Sequence, residues 1–198
     1  LLSEEEQELE LRYKDERVYA IGHGVAVDWR IGETTTEFFS DFMPIVEVPQ
    51  VTANAGKANK VLSFSFLKSI ESDKSVFTQL SEFIDNYEDW IDSQLELAET
   101  GTFEEVKVAK RIVERMEEAK QRMRSGLSRL RNDDYAQKAF ALANKAMLMQ
   151  MELNGPPKNG EPYSWRPFQL AFVLLALESS IDEDNDFRDC VDLIWFPT

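Results

Sequence analysis

The stretch SDKSVFTQLSEFIDNYEDWIDSQLELAETG, Ser72 to Gly101, decides the fold. Its apolar residues Val76, Leu80, Phe83, Ile84, Tyr87, Trp90, Ile91 and Leu95 recur at the intervals that place them on one face of an α-helix. Thr100-Gly101 closes the pattern, since glycine readily adopts the left-handed conformation that ends helices. A second stripe follows at once, with Phe103, Val106, Ile112, Val113, Met116, Met123, Leu127 and Leu130 spread over roughly eight turns. Two long helices joined by so short a turn must run antiparallel. A third helix is expected from a cap at Asp133 or Asp134 through Leu153, carrying Tyr135, Ala139, Ala143, Ala146, Met147 and Gln150. Residues 71–154 therefore read as a helical hairpin with a third packing helix. Trp90 and Met116, on adjacent stripes, are expected to be buried there, with a cost of about 3–5 kcal/mol for Trp90→Ala.

Working outward, residues 1–16 form a strongly acidic leader and residues 17–70 a β-rich segment. Alternation at Val25, Val27 and Trp29 predicts a strand with one buried face. FMPIVEVPQV, Phe42–Val51, reads as an extended segment whose prolines suit an edge. KVLSFSFLKSI alternates at Leu62, Phe64 and Phe66 and reads as a third strand, with a helix start as the alternative. On the other side, residues 155–164 make a Pro- and Gly-rich linker. Residues 165–198 follow: a helix opened by Ser164 with Pro167 in its first turn, an acidic loop, and CVDLIWF as a strand buried on both faces. The expected class is α+β, a β-rich N-terminal segment followed by the helical hairpin and a C-terminal helix and strand.

Composition limits the function classes. The chain is 43% hydrophobic and 30% charged, with a formal net charge of −15, so phosphates are repelled on average. Only a local basic groove would bind nucleic acid. A single cysteine, Cys190, excludes a disulfide framework and suits a reducing, cytoplasmic setting. The longest apolar run, Phe168–Leu177, is about half of the ~20 residues that a membrane span needs. His23, flanked by glycines, has too few ligand partners for a zinc site and reads as a turn or packing residue. Asp182–Asp186 lacks the glycine and glutamate of a calcium loop and reads as a solvated acidic stretch.

Two motifs carry chemistry. WRPFQ, Trp165–Gln169, stands at the start of the last helix, and VDLIWFPT, Val191–Thr198, ends a strand in Pro-Thr. A glutamine amide offers a donor and an acceptor together, the pair that reads the N6–N7 edge of adenine, and an arginine or aromatic face beside it can stack on the base. The order of these motifs resembles the first motor domain of superfamily 2 helicases, where an aromatic R-P-x-Q segment precedes a strand running into a P-T-G-x-G-K-T phosphate loop. ERVYAIGHGVAVDW, EVPQV, WRPFQLAFVLLAL and VDLIWFPT, in this order, resemble more narrowly the DrmA-type helicase subunits of DISARM phage-defence systems.

That resemblance implies that the last helix and buried strand begin a RecA-like α/β motor domain, with a nucleotide site using Gln169, Arg166, Phe168, Trp165 and Thr198, and with ATP and Mg bound in the full-length parent and none in this chain alone. It also implies that a phosphate loop follows Thr198, so that the chain by itself does not hydrolyse ATP. DNA and a companion defence subunit are the expected partners, with no membrane. A second element bears on DNA: between Lys107 and Arg131 stand nine basic residues (Lys107, Lys110, Arg111, Arg115, Lys120, Arg122, Arg124, Arg129, Arg131) against three acidic ones. They make either a phosphate-contacting ridge, headed by Lys107, Lys110, Arg111, Arg115 and Arg122, or a solvated face held by helix ion pairs. The expected function is the N-terminal accessory region of an ATP-dependent DNA helicase or translocase. The alternative is a non-catalytic interaction module that docks a companion subunit without touching nucleic acid.

Overall fold

A computed structural model describes residues 2–15, 18–42, 59–156 and 160–193. Among these the chain is α+β as expected, with seven helices and one two-stranded antiparallel sheet. The acidic leader contains a helix, α1 (Glu4–Arg12). Ser3 and Glu6 cap it reciprocally: the Glu6 N–H donates to Ser3 Oγ at 3.3 Å and the Ser3 N–H to Glu6 Oε2 at 2.7 Å. The strand predicted around Trp29 is β1 (Ala26–Ile31), which pairs with β2 (Thr36–Asp41) from Ala26↔Asp41 to Ile31↔Thr36; its expected buried face is only half-buried at Val27 and Trp29, and Val25 precedes the strand and is exposed. Tyr19 meets the Trp29 ring edge-on at 5.6 Å. The extended segment expected at 42–51 lies outside the described residues from 43 onward, and Thr198 and the end of the expected buried strand, 194–198, lie outside them too. Val191–Leu193, expected in that buried strand, instead take no regular secondary structure, and Val191 and Leu193 are exposed.

The third strand of the N-terminal segment is a correction. KVLSFSFLKSI takes the helical alternative, as α2 (Asn59–Leu62) and α3 (Phe64–Leu67). Val61, Phe64, Leu67 and Ile70 are all buried, and their three-residue spacing is a helix face. Alternation at Leu62, Phe64 and Phe66 was incidental to that face. Ser63, between the two short helices, forms an antiparallel bridge with Ser164. This corrects a second expectation, because Ser164 does not open the last helix.

The hairpin forms as predicted from α4 (Ser75–Ala98) and α5 (Phe103–Asn132). Thr102 and Glu105 cap α5 reciprocally, and Asp133 caps α6 (Asp134–Leu153) by accepting from the Tyr135 and Ala136 N–H groups at 2.9 and 3.1 Å. The last helix, α7 (Pro167–Ile181), packs on α5. One core joins these pieces through Leu67, Ile70, Leu80, Ile84, Leu127, Leu130, Phe140, Leu170 and Leu174. Trp90, expected in that core, is 45% exposed and stacks on Tyr87 at 5.7 Å. Ile91, one residue on, takes the buried position. Met116 is half-buried. The third helix also turns differently from expectation: Ala136, Gln137, Phe140, Ala141 and Asn144 face inward, while Tyr135, Ala139, Ala143, Ala146 and Gln150 face outward. No helix among the described residues is long and apolar enough to cross a membrane.

Candidate functional site

The segment Trp165–Gln169 is held by backbone first. The Trp165 N–H donates to the Leu62 carbonyl at 2.9 Å and the Phe64 N–H to the Tyr163 carbonyl at 3.1 Å, so the lead-in lies beside the α2–α3 junction. Pro167 occupies the first turn of α7, where its missing N–H costs nothing and its fixed φ favours the helix. Arg166 is the cap residue, with extended backbone.

The side chains divide into inner anchors and an outer rim. Trp165 is half-buried; its Nε1–H donates to Asn144 Oδ1 at 2.9 Å and its ring meets Phe64 edge-on at 4.9 Å. Asn144 is 1% exposed, and its amide donates in turn to the Phe140 carbonyl at 2.8 Å, so both ends of a buried amide are satisfied. Trp165 thereby ties the start of α7 to α6. Gln169 is half-buried, and its Oε1 accepts from the Arg166 N–H at 2.9 Å. This fixes the amide at the first turn while leaving the oxygen a second lone pair. Arg166 is exposed and Phe168 half-buried. Trp165, Arg166, Phe168 and Gln169, four of the five residues expected at a nucleotide site, are neighbours in the sequence at the head of α7, and Thr198 lies outside the described residues.

The basic residues of α5 are distributed otherwise. Arg111 approaches Glu4 at 3.6 Å, Glu8 at 3.8 Å and Gln7 at 3.3 Å, and Arg115 pairs with Glu8, all on α1. Lys120 is buried and bridges Glu88 at 2.9 Å and Glu117 at 2.6 Å. The hydrogen bond that Lys120 donates to Glu117 leads in holding the Lys120 ammonium above its ordinary pKa, and the one it donates to Glu88 leads in holding the Glu88 carboxyl below its own. Arg124 pairs with Asp85 and Glu88 of α4, and Arg129 makes a fork to Glu178 of α7 at 2.6 and 3.0 Å. The Arg131 guanidinium reaches the Phe77 carbonyl at 3.5 Å. Lys107 and Lys110 are exposed and take part in none of the ion pairs among the described residues.

Arg122 holds the end of the described chain. It is buried, it grips Asp192 through two bonds of 2.7 and 2.6 Å, and it lies over the Phe187 ring at 4.4 Å. The guanidinium hydrogen bonds hold the Asp192 carboxyl below the usual carboxylate range. Beside this clamp a half-open cleft of about 310 Å³ runs between α5 and α7, with Gln121, Ser125, Leu175 and Ser179 on its walls. Sequence reasoning missed Asn144, Asp192, Glu178 and Phe187. An asparagine following the apolar run Ala139–Ala143 was the one available signal, because a buried amide needs partners.

No family model matches the chain. Among curated proteins, it is 30% identical over 212 aligned residues to "DISARM protein DrmA" of Bacillus paralicheniformis. The match takes in 96% of this chain and 18% of the relative, so the chain spans less than a fifth of that protein's length.

Proposed function

We propose, on the premise that this chain is a DrmA-like segment of a much longer DISARM defence protein, that it is the accessory region beside an ATP-dependent motor and supplies part of the adenine pocket. One observation carries the reading. Gln169 is presented at the first turn of α7 on a segment pinned by Trp165, Asn144 and the Leu62 carbonyl, so its amide is preorganised rather than mobile. Arg166 stands exposed next to it, suited to stacking on a base. ATP and Mg would be bound by the longer protein, with the phosphates beyond Thr198.

The test is nucleotide affinity in the full-length protein. Losing a base-reading pair costs about 1–3 kcal/mol by analogy with readout of adenine in DNA. At ~1.4 kcal/mol per tenfold, Gln169→Ala should weaken ATP binding by roughly ten- to a hundredfold. GTP lacks the adenine pattern and should be affected far less, so the two affinities converge. Equal losses for ATP and GTP would make Gln169 a capping residue only.

A second reading, a docking module for a companion subunit with no nucleic-acid contact, is favoured by the ion pairs of α5. Arg111, Arg115, Lys120, Arg122, Arg124 and Arg129 already face carboxylates within the chain, which lowers the positive potential a phosphate would meet. A gel shift across salt separates the readings. Phosphate contacts give binding that falls steeply with salt and weakens on Lys107→Ala and Lys110→Ala; the docking module gives no shift.

A further inference from the structure

α6 is apolar on both sides. Its inward face packs on the core, yet its outward face is not the polar surface that a helix at a protein's edge normally shows. Tyr135, Ala139, Leu142, Ala146, Met149 and Leu153 are all exposed and follow one another at alternating intervals of four and three residues. That is the seam of a two-helix coil, running most of the length of α6, about 30 Å. Tyr135 is 77% exposed and Leu153 88%. No described residue covers this seam.

We propose that the seam pairs with itself: α6 of a second copy of this chain lies antiparallel across it, about a two-fold axis level with Asn144. Two features of the sequence on this face select that occupant and that direction. First, sizes alternate so that the antiparallel register fills every layer. Tyr135 meets Leu153 of the second copy, Ala139 meets Met149, and Leu142 meets Ala146, with the same three layers repeated beyond the axis. Each inner layer sets one alanine against one long side chain, so the helices approach closely without voids. A parallel pairing would stack each alanine on its own copy and leave alternate layers underfilled. Second, the rim is self-complementary in the same register: Lys138 stands opposite Glu152 of the second copy on both sides of the axis. Ala143 meets its own copy on the other rim, where a small residue is needed. Lys145 lies near its copy at the axis, which limits the affinity. An isologous contact of this kind closes on itself as a dimer. One helix pair is smaller than a standard stable interface, so the dimer belongs to the weak, concentration-dependent class. This inference does not rest on the adenine reading.

The test is sedimentation of the 198-residue chain over a range of concentration. The expected result is a monomer–dimer equilibrium abolished by Leu142→Lys. Lys138→Glu should weaken it about tenfold, and Lys138→Glu combined with Glu152→Lys should restore it, because the swapped charges again face each other. All three positions are exposed, so circular dichroism should be unchanged in these variants. In a Cys190→Ser background, Ala143→Cys should cross-link on mild oxidation, while Ala139→Cys should not, its two copies lying about 15 Å apart along the axis. A chain that stays monomeric up to about 1 mM would overturn the proposal, since even the weakest specific dimer would show there. So would a dimer in which the double swap is no tighter than the single one, or in which Ala139→Cys cross-links as readily as Ala143→Cys.

Discussion

Gly126 sits inside a thirty-residue helix, a little under two turns from its end, where alanine would ordinarily be preferred by about 1 kcal/mol. Gly126→Ala should nevertheless destabilise the chain. A methyl group there would overlap the Leu174 carbonyl oxygen of α7, well inside 3.0 Å, and would lie 3.1 Å from the Leu174 carbonyl carbon and 3.3 Å from Leu177 Cβ. The obstruction is backbone, so no rotamer change relieves it, and α7 must withdraw from α5 by about 1 Å. A gap of 0.5–1 Å already forfeits roughly a quarter to a half of the dispersion energy between facing atoms. Leu127, Leu130, Leu170 and Leu174, all at or below 3% exposure, share that contact region. Overpacking costs about 1–3 kcal/mol, and a clash with backbone falls at the upper end, so the net loss after the propensity gain of about 1 kcal/mol is about 2 kcal/mol. Urea denaturation followed by circular dichroism reads it as a lower midpoint at unchanged slope. Ser125→Ala, exposed on the same turn, should stay within about 0.5 kcal/mol of the parent. A Gly126→Ala midpoint equal to or above the parent's would refute the close crossing of α5 and α7.

Two further outcomes follow from the anchors of the site. Trp165→Phe keeps an aromatic ring against Phe64 but strips the buried Asn144 oxygen of its donor, and should cost about 1–3 kcal/mol. Asn144→Leu added to it should cost less than the sum of the two single changes, and strict additivity in that cycle would show that the pair is not coupled. For the Arg122–Asp192 clamp, the folded Asp192 carboxyl titrates below its unfolded value of about 3.9. Its contribution is therefore complete above that pH and lost as pH falls through the lowered folded value. Denaturation midpoints of the parent and Asp192→Asn should differ at neutral pH and converge at the acid end; a gap that persists in strong acid would place the effect in packing instead.

The sequence by itself determined the elements whose apolar period was long and whose ends were capped. The α4–α5 hairpin, the α6 start at Asp133 and the strand around Trp29 were legible because their periods were sustained and, for the helices, bounded by a cap or a stop. It also placed Trp165–Gln169 at the head of the last helix, since Pro167 admits few other settings. Short segments were different. Val61–Ile70 fitted both a period of two and a spacing of three, and only packing against the rest of the core chose the helix. The choice between Trp90 and Ile91 was likewise tertiary, because both lie near the stripe and the neighbouring helices admit one. The same holds for α6: a helix apolar on both sides cannot declare from its sequence which side the core takes. The basic run of α5 was plain in the sequence, but its carboxylate partners lie on α1, α4, α7 and the loop at Asp192, far along the chain. Charge pairing across such separations is set by how helices stack, and that is information a linear pattern does not hold.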